Sequence, residues 1–267
     1  MLQYKFIQHA LLASLFGGIS CGIVGVWVVM MRIPFVGVAM SHSAFAGAVF
    51  GILTGTNPLF MALLFCLASS VLIGPVAKRS QLDPNISIGI IFSLVLGIAF
   101  LCLGLIKGPR TEALQLIWGN ILLLDRTDIL FLIGSCGLVI LFLILFFKEI
   151  RAVLFQRELA RASGIPEKAF FYSLLILTGL SVTFNLNTVG GLLIFSLIIN
   201  PPSAAYQLTY SLKKMFILSS FFSVTSCLAG LVISYYLNVP TGAVIIITSS
   251  LIFLLCLIFS PKRKKVT

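Results

Sequence analysis

The chain has 267 residues, 60% of them hydrophobic and only 9% charged, with a net charge of +11. Soluble domains carry about 25% charged residues, so a soluble globular domain is excluded. Runs of roughly 20 apolar residues, each long enough to cross a bilayer, follow one another to the C-terminus and mark a polytopic membrane protein.

The first predicted span runs from Gln8 to Met31. Its "GISC", Gly18 to Cys21, has the look of a lipoprotein cleavage site. The apolar run continues to Met31, however, too far for a signal peptide, so the first helix is retained. Pro34 to Leu53, Pro58 to Ala77 and Ile86 to Ile106 follow. The outer connection 107–128 contains "EALQLIWGNILLL", read as a short helix at or dipping into the membrane. Ile129 to Phe147 is the fifth span. After it, the connection 148–168 carries a short helix, Gln156 to Ser163, stopped by Gly164 and Pro166. The last spans are Ala169 to Leu186, Gly190 to Thr209, Met215 to Leu237 and Thr241 to Ser260. The fold class is therefore an all-α membrane helix bundle of about nine spans, or eight if the short, Gly/Ala-rich Pro34–Leu53 is re-entrant. "TGTNP", "NLNTVGG" and "LNVPTG" punctuate it as turns.

Charge sets the expected orientation. Arg32, Lys78, Arg79, the five basic residues of 148–168, Lys213, Lys214 and the tail "KRKK" share one side, against Asp83, Glu149, Glu158 and Glu167. The other side holds only Lys5, Lys107, Arg110 and Arg126. Basic residues accumulate in cytoplasmic loops, so the N-terminus is expected outside and the C-terminus inside. The same distribution explains the net charge without nucleic acid, for which no motif is present.

All seven acidic residues fall outside the predicted spans, whereas ion-coupled transporters embed carboxylates at membrane depth. No phosphate loop for ATP is present either. The six cysteines, scattered through apolar segments without a CxxC pair, read as buried thiols. His42, in "AMSHSAFAG", is the ionisable side chain well inside a span. It reads either as a neutral ring bonded within the bundle or as a group lining an ion path, with Ser41 and Ser43 beside it. His9 is expected at the outer interface. Gly18/Gly22 and Gly47/Gly51 have the spacing of close helix packing. In "IINPPSAAY", Pro201 and Pro202 deprive the carbonyls of Leu197 and Ile198 of helical partners. A packing kink and a break lining a wet path both remain open, and Asn200 suits either.

Taken together, "MRIPFVGVAMSHSAFAG", "IGIIFSLVLGIAF", "WGNILLL", "ELARASGIP", "VGGLLIFSLIINPPSAA" and "VPTGAVIII", in this order, resemble the integral-membrane permease of metal-ion ABC importers. That family carries zinc, manganese or iron(II). The resemblance spans nearly the whole chain and implies a single permease domain, residues 1–267, in a bacterial plasma membrane. It also implies a second permease chain, a cytoplasmic ABC ATPase that binds the ATP, and an extracytoplasmic metal-binding protein. The permease itself would be non-catalytic and hold no cofactor, the divalent metal being its cargo. Glu158, Ala160 and Gly164 have the spacing of the Glu-Ala-Ala…Gly loop that many such permeases offer to the ATPase, which makes Gln156, Glu158, Ala160, Arg161 and Gly164 the expected coupling residues. Ser41, His42, Ser43 and Asn200 would line the metal path.

The chain departs from the family at Val38, where an aspartate is common one turn before the histidine, and at Pro84–Asn85, where acidic residues are frequent. A permease for a chelated metal or cobalamin-like ligand, or a stand-alone secondary transporter or channel, are the rival expectations.

Overall fold

The computed structural model describes residues 5–80, 83–106 and 124–262. Among these residues every regular element is a helix, eleven in all. In chain order they are α1 (Lys5–Met30), α2 (Phe35–Thr54), α3 (Pro58–Ser80), α4 (Pro84–Leu105), α5 (Arg126–Leu145), α6 (Phe147–Phe155), α7 (Arg157–Ala162), α8 (Glu167–Val189), α9 (Gly191–Leu208), α10 (Leu212–Leu237) and α11 (Thr241–Ile258). Apolar sequence in a bilayer must satisfy its own backbone, which a helix does within one segment. The helix ends carry the polar chemistry. Asp83 accepts the Asn85 N–H at 2.8 Å ahead of Pro84. Asp125 and Asp128 form a reciprocal capping box at α5. Asp128 and Glu167 therefore lie in first turns, where the helix dipole favours a carboxylate.

Among the described residues eight helices are long and apolar enough to cross a membrane: α1 to α5, α8, α10 and α11. The segment Pro34–Leu53, which was expected to decide between nine spans and eight, belongs to that set as α2. The difference falls instead on α9, which carries Asn200, Pro201, Pro202 and Gln207 within its 18 residues. Along their apolar windows α1 and α2 are 72% buried and α11 only 17%, so the first two helices form the interior and α11 the rim. Around them pack α3, α4, α8, α9 and α10.

Small residues set the closest approaches. A Cβ at Gly22 would stand 2.7 Å from the Ser220 Cα of α10, and one at Gly51 would stand 2.8 Å from the Pro58 Cα of α3. Both glycine pairs thus serve helix packing, as their spacing predicts. Ser219 donates to the Gly22 carbonyl at 2.7 Å, and Trp27 donates to Thr178 at 2.9 Å, tying α1 to α10 and to α8.

One predicted turn moves. The "NLNTVGG" turn is instead the end of α8, joined to α9 through Gly190 alone, whose φ of 86° and ψ of 147° suit only glycine. At Pro201–Pro202, where a packing kink and a break were both open, α9 continues through both prolines. The carbonyl of Ile198, which Pro202 leaves without an N–H, faces Gly25 of α1, where a Cβ would overlap the oxygen. The Cα–H of a glycine can approach such an oxygen as a weak donor. The short outer helix expected within 107–128 lies outside the described residues, apart from Leu124.

Residues assigned by charge to one side do meet at one end. Arg32 and Arg157 line a cleft of about 630 Å³, and Arg79, Arg157 and Lys168 line a neighbouring one of about 520 Å³. Lys262 lines a third, smaller cleft that shares Met30, Phe155 and Tyr206 with the first. Together these clefts mark the basic end of the molecule. Away from it, the Nδ1–H of His9 donates to the Leu124 carbonyl at 3.0 Å, tying the start of α1 to the approach to α5.

Candidate functional site

The three polar residues of "SHS" leave α2 in different directions. Ser41 is buried, donates to the Gly37 carbonyl at 2.8 Å and faces Gly191 at the start of α9. Ser43 is buried too. It donates to the Ala39 carbonyl at 2.7 Å and shares a 2.8 Å hydrogen bond with Ser69 of α3. Both serines bond back one turn along their own helix, a common fate of hydroxyls in apolar surroundings. His42 is half-buried against α4, edge-on to Phe92 with ring centroids 5.0 Å apart. The structure therefore does not gather Ser41, His42 and Ser43 around one point.

His42 nonetheless has defined chemistry. Its Nδ1 lies 3.0 Å from the Val38 carbonyl. A carbonyl only accepts, so Nδ1 carries a proton and donates it, which leaves Nε2 on the side of the ring away from that bond. Histidines that bind metals are commonly held this way, with the second nitrogen donating to a carbonyl. The departure at Val38 matters here, because its side chain offers no oxygen. Among the described residues no group of three or more His, Cys, Asp or Glu is arranged to hold a metal ion.

Asn200 belongs to a separate polar cluster between α9 and α11. Its amide nitrogen lies 3.1 Å from Ser196 Oγ, 3.1 Å from Ser249 Oγ and 3.0 Å from Ser250 Oγ, and the first two hydroxyls are 2.8 Å apart. Asn200 thus serves these serines rather than the carbonyls freed by the prolines. Ser196, Ser249 and Ser250 were not singled out from the sequence. The one-turn spacing of Ser196 and Asn200 was a signal, but the pairing with α11 is not local.

At the basic end, the predicted cytoplasmic helix is present as α7, one residue shorter at each end than Gln156–Ser163. Gly164 has φ 81°. Its N–H donates to the Arg161 carbonyl at 3.1 Å, and the Ile165 N–H donates to the Ala160 carbonyl at 3.1 Å. That pair of bonds is the Schellman ending of a helix, which needs a left-handed residue. Ala160 is buried, while Gln156, Glu158, Arg161 and Gly164 are exposed. Arg157 clamps the loop to α8, with its guanidinium 3.4 Å from Glu167 and 4.0 Å from the Phe171 ring centroid. An exposed ion pair alone contributes little, but stacking on Phe171 fixes where the loop sits. Leu159, 60% exposed on this loop, went unnoticed in the sequence and gives it an apolar contact residue.

A model of the ABC 3 transport family matches residues 3–260. The chain is 31% identical to the manganese transport system membrane protein MntC of Halalkalibacterium halodurans, over 100% of this chain and 91% of that protein. It is 31% identical to the manganese import system permease protein ScaB of Streptococcus parasanguinis, covering 98% and 94%. Among solved structures it matches one described as PsaBC from Streptococcus pneumoniae in complex with Fab. The TM-score is 0.88 and the identity 30%, with 98% of this chain and 95% of that one covered. A structure described as an inward-facing putative metal-chelate type ABC transporter matches with a TM-score of 0.78 at 14% identity, covering 94% and 85%, a likeness of fold.

Proposed function

This chain belongs to the ABC 3 transport family, and from that premise we propose that it is the permease subunit of an importer for a divalent metal ion, manganese ahead of zinc or iron(II). A separate cytoplasmic ATPase would drive it, and an extracytoplasmic binding protein would deliver the metal. The observation that carries this reading is the end-to-end similarity to manganese permeases at about the same identity in several relatives. In this arrangement the chain lies in a bacterial plasma membrane as one permease domain, N-terminus outside, with a second permease chain completing the pore. The basic end faces the cytoplasm and α7, with Gln156, Glu158, Ala160, Arg161 and Gly164, meets the ATPase.

His42 is the metal contact on this reading, through Nε2. A lone imidazole without a neighbouring carboxylate holds a hard divalent ion weakly, and conduction benefits from weak binding, since the ion must leave as well as enter. The Ser196–Asn200–Ser249 cluster is a second polar station, of neutral oxygens. Ser41 and Ser43, bonded to their own helix, support the packing around the histidine. The chelate reading has only the likeness of fold to support it.

The test is uptake of radioactive manganese into vesicles holding the permease with its ATPase. Uptake requires ATP hydrolysis, and excess zinc or iron(II) as competitor ranks the metals. Uptake driven by a proton gradient without the ATPase would overturn the reading. For the site, His42→Ala is expected to slow transport by roughly tenfold, the scale on which groups supporting a metal matter, with protein level unchanged. Val38→Asp supplies a carboxylate one turn away and is expected to increase manganese retained by the purified protein. Unchanged transport in the first and unchanged retention in the second would remove His42 from the path.

A further inference from the structure

At the basic end a cleft of about 200 Å³ opens between the α9–α10 connection and the last described residues. Met30 and Phe155 form part of an apolar floor, while Tyr206, Tyr210, Ser211 and Lys262 supply a polar rim. The Lys262 ammonium lies 3.4 Å from the Tyr206 ring centroid and 4.8 Å from that of Tyr210. Burial lowers its pKa below that of an ordinary lysine. Among the described residues no carboxylate is paired with Lys262, the ion pair there being Arg157–Glu167.

Further positive charge gathers beside it. Leu212 and Met215 of α10 line the same cleft, and between them Lys213 and Lys214 are exposed. These two lysines sit at the end of α10 where the helix dipole is already positive and where Ser211 provides no side-chain cap. Such a cluster repels itself unless an anion joins it. Ile217 and Phe221, one and two turns along α10 from Lys213, are 63% and 60% exposed. The face therefore passes from cations to bare apolar surface within three turns, as a bilayer passes from headgroup to acyl chain. Tyrosines favour that same boundary.

We propose that the phosphate headgroup of an anionic phospholipid binds at the mouth of this cleft, with Lys262 lining the cleft, Lys213 and Lys214 on the exposed turn of α10 that borders it, and an acyl chain along Ile217 and Phe221. The proposal rests on the membrane position of the helices and not on the cargo or the ATPase, so either can fail without the other. Juxtamembrane lysines near an anionic surface act additively. Removing three is therefore expected to weaken binding by roughly tenfold or more.

The experiment is native mass spectrometry of the full chain titrated with phosphatidylglycerol or phosphatidylcholine. The unaltered protein is expected to retain phosphatidylglycerol selectively. Lys213→Gln/Lys214→Gln/Lys262→Gln is expected to lose that selectivity. Lys213→Gln/Lys214→Gln, which leaves the Lys262–tyrosine contacts intact, is expected to lose part of it. Lys148→Gln/Arg151→Gln/Lys168→Gln, an equal change of charge at the same end, is expected to keep it. Equal loss in both triple variants would mean diffuse charge attraction and overturn the site. So would equal retention of phosphatidylcholine, or displacement of the lipid by millimolar inorganic phosphate. Unchanged lipid binding by the lysine variants, with ATPase copurification lost, would assign the cleft to the protein partner and overturn it as well.

Discussion

A Gly164→Pro protein is expected to insert at normal levels yet fail to copurify with its ATPase. Gly164 closes α7 at φ 81°, and proline holds φ near −65°. The substitution also removes the N–H that donates to the Arg161 carbonyl. With that bond gone and the chain forced out of the left-handed region, α7 cannot end where it does, and Glu158, Leu159 and Arg161 change direction. The spans need none of these contacts, so folding in the membrane continues. Gly164→Ala is the graded comparison: a left-handed alanine costs about 1–2 kcal/mol, and copurification should weaken without vanishing. Normal copurification of the proline variant would take the coupling role away from α7. A proline variant that fails to accumulate would instead show that the loop is needed for folding.

The second large effect is expected at Gly25. A Cβ there would overlap the Ile198 carbonyl oxygen and stand 2.8 Å from the Pro202 ring. Neither obstacle is a flexible side-chain end, so α1 and α9 must separate. Overpacking of this kind costs about 1–3 kcal/mol. Gly25→Ala is therefore expected to lower the thermal unfolding temperature of the purified protein by several degrees. Gly97 of α4 is the control, since nothing lies within 4 Å of the position its Cβ would take. Alanine there should be neutral or mildly stabilising, because it relieves the helix of glycine. Equal stability of the two variants would remove Gly25 as the support of the proline-bearing helix.

Most of the spans, the gathering of basic residues at one end and the short helix closed by Gly164 were legible in the sequence. Each is encoded locally: hydropathy over roughly 20 residues, basic residues at loop ends, and a glycine at the one position where a helix must turn back. Both glycine pairs were legible for the same reason, as small residues one turn apart have little other use on a buried helix face. Site residues were only partly legible. Spacing placed Ser41, His42 and Ser43 in one turn, but three consecutive residues on a helix point about 100° apart. Which neighbour each meets therefore depends on how α3, α4 and α9 surround α2. Asn200 likewise needed a partner 49 residues away, Ser249, and Ile198 needed a glycine on α1. Pro201–Pro202 left a kink and a break both open, because a proline's cost is visible along the chain. What the freed Ile198 carbonyl faces, Gly25, lies on another helix, and only the tertiary structure decided that.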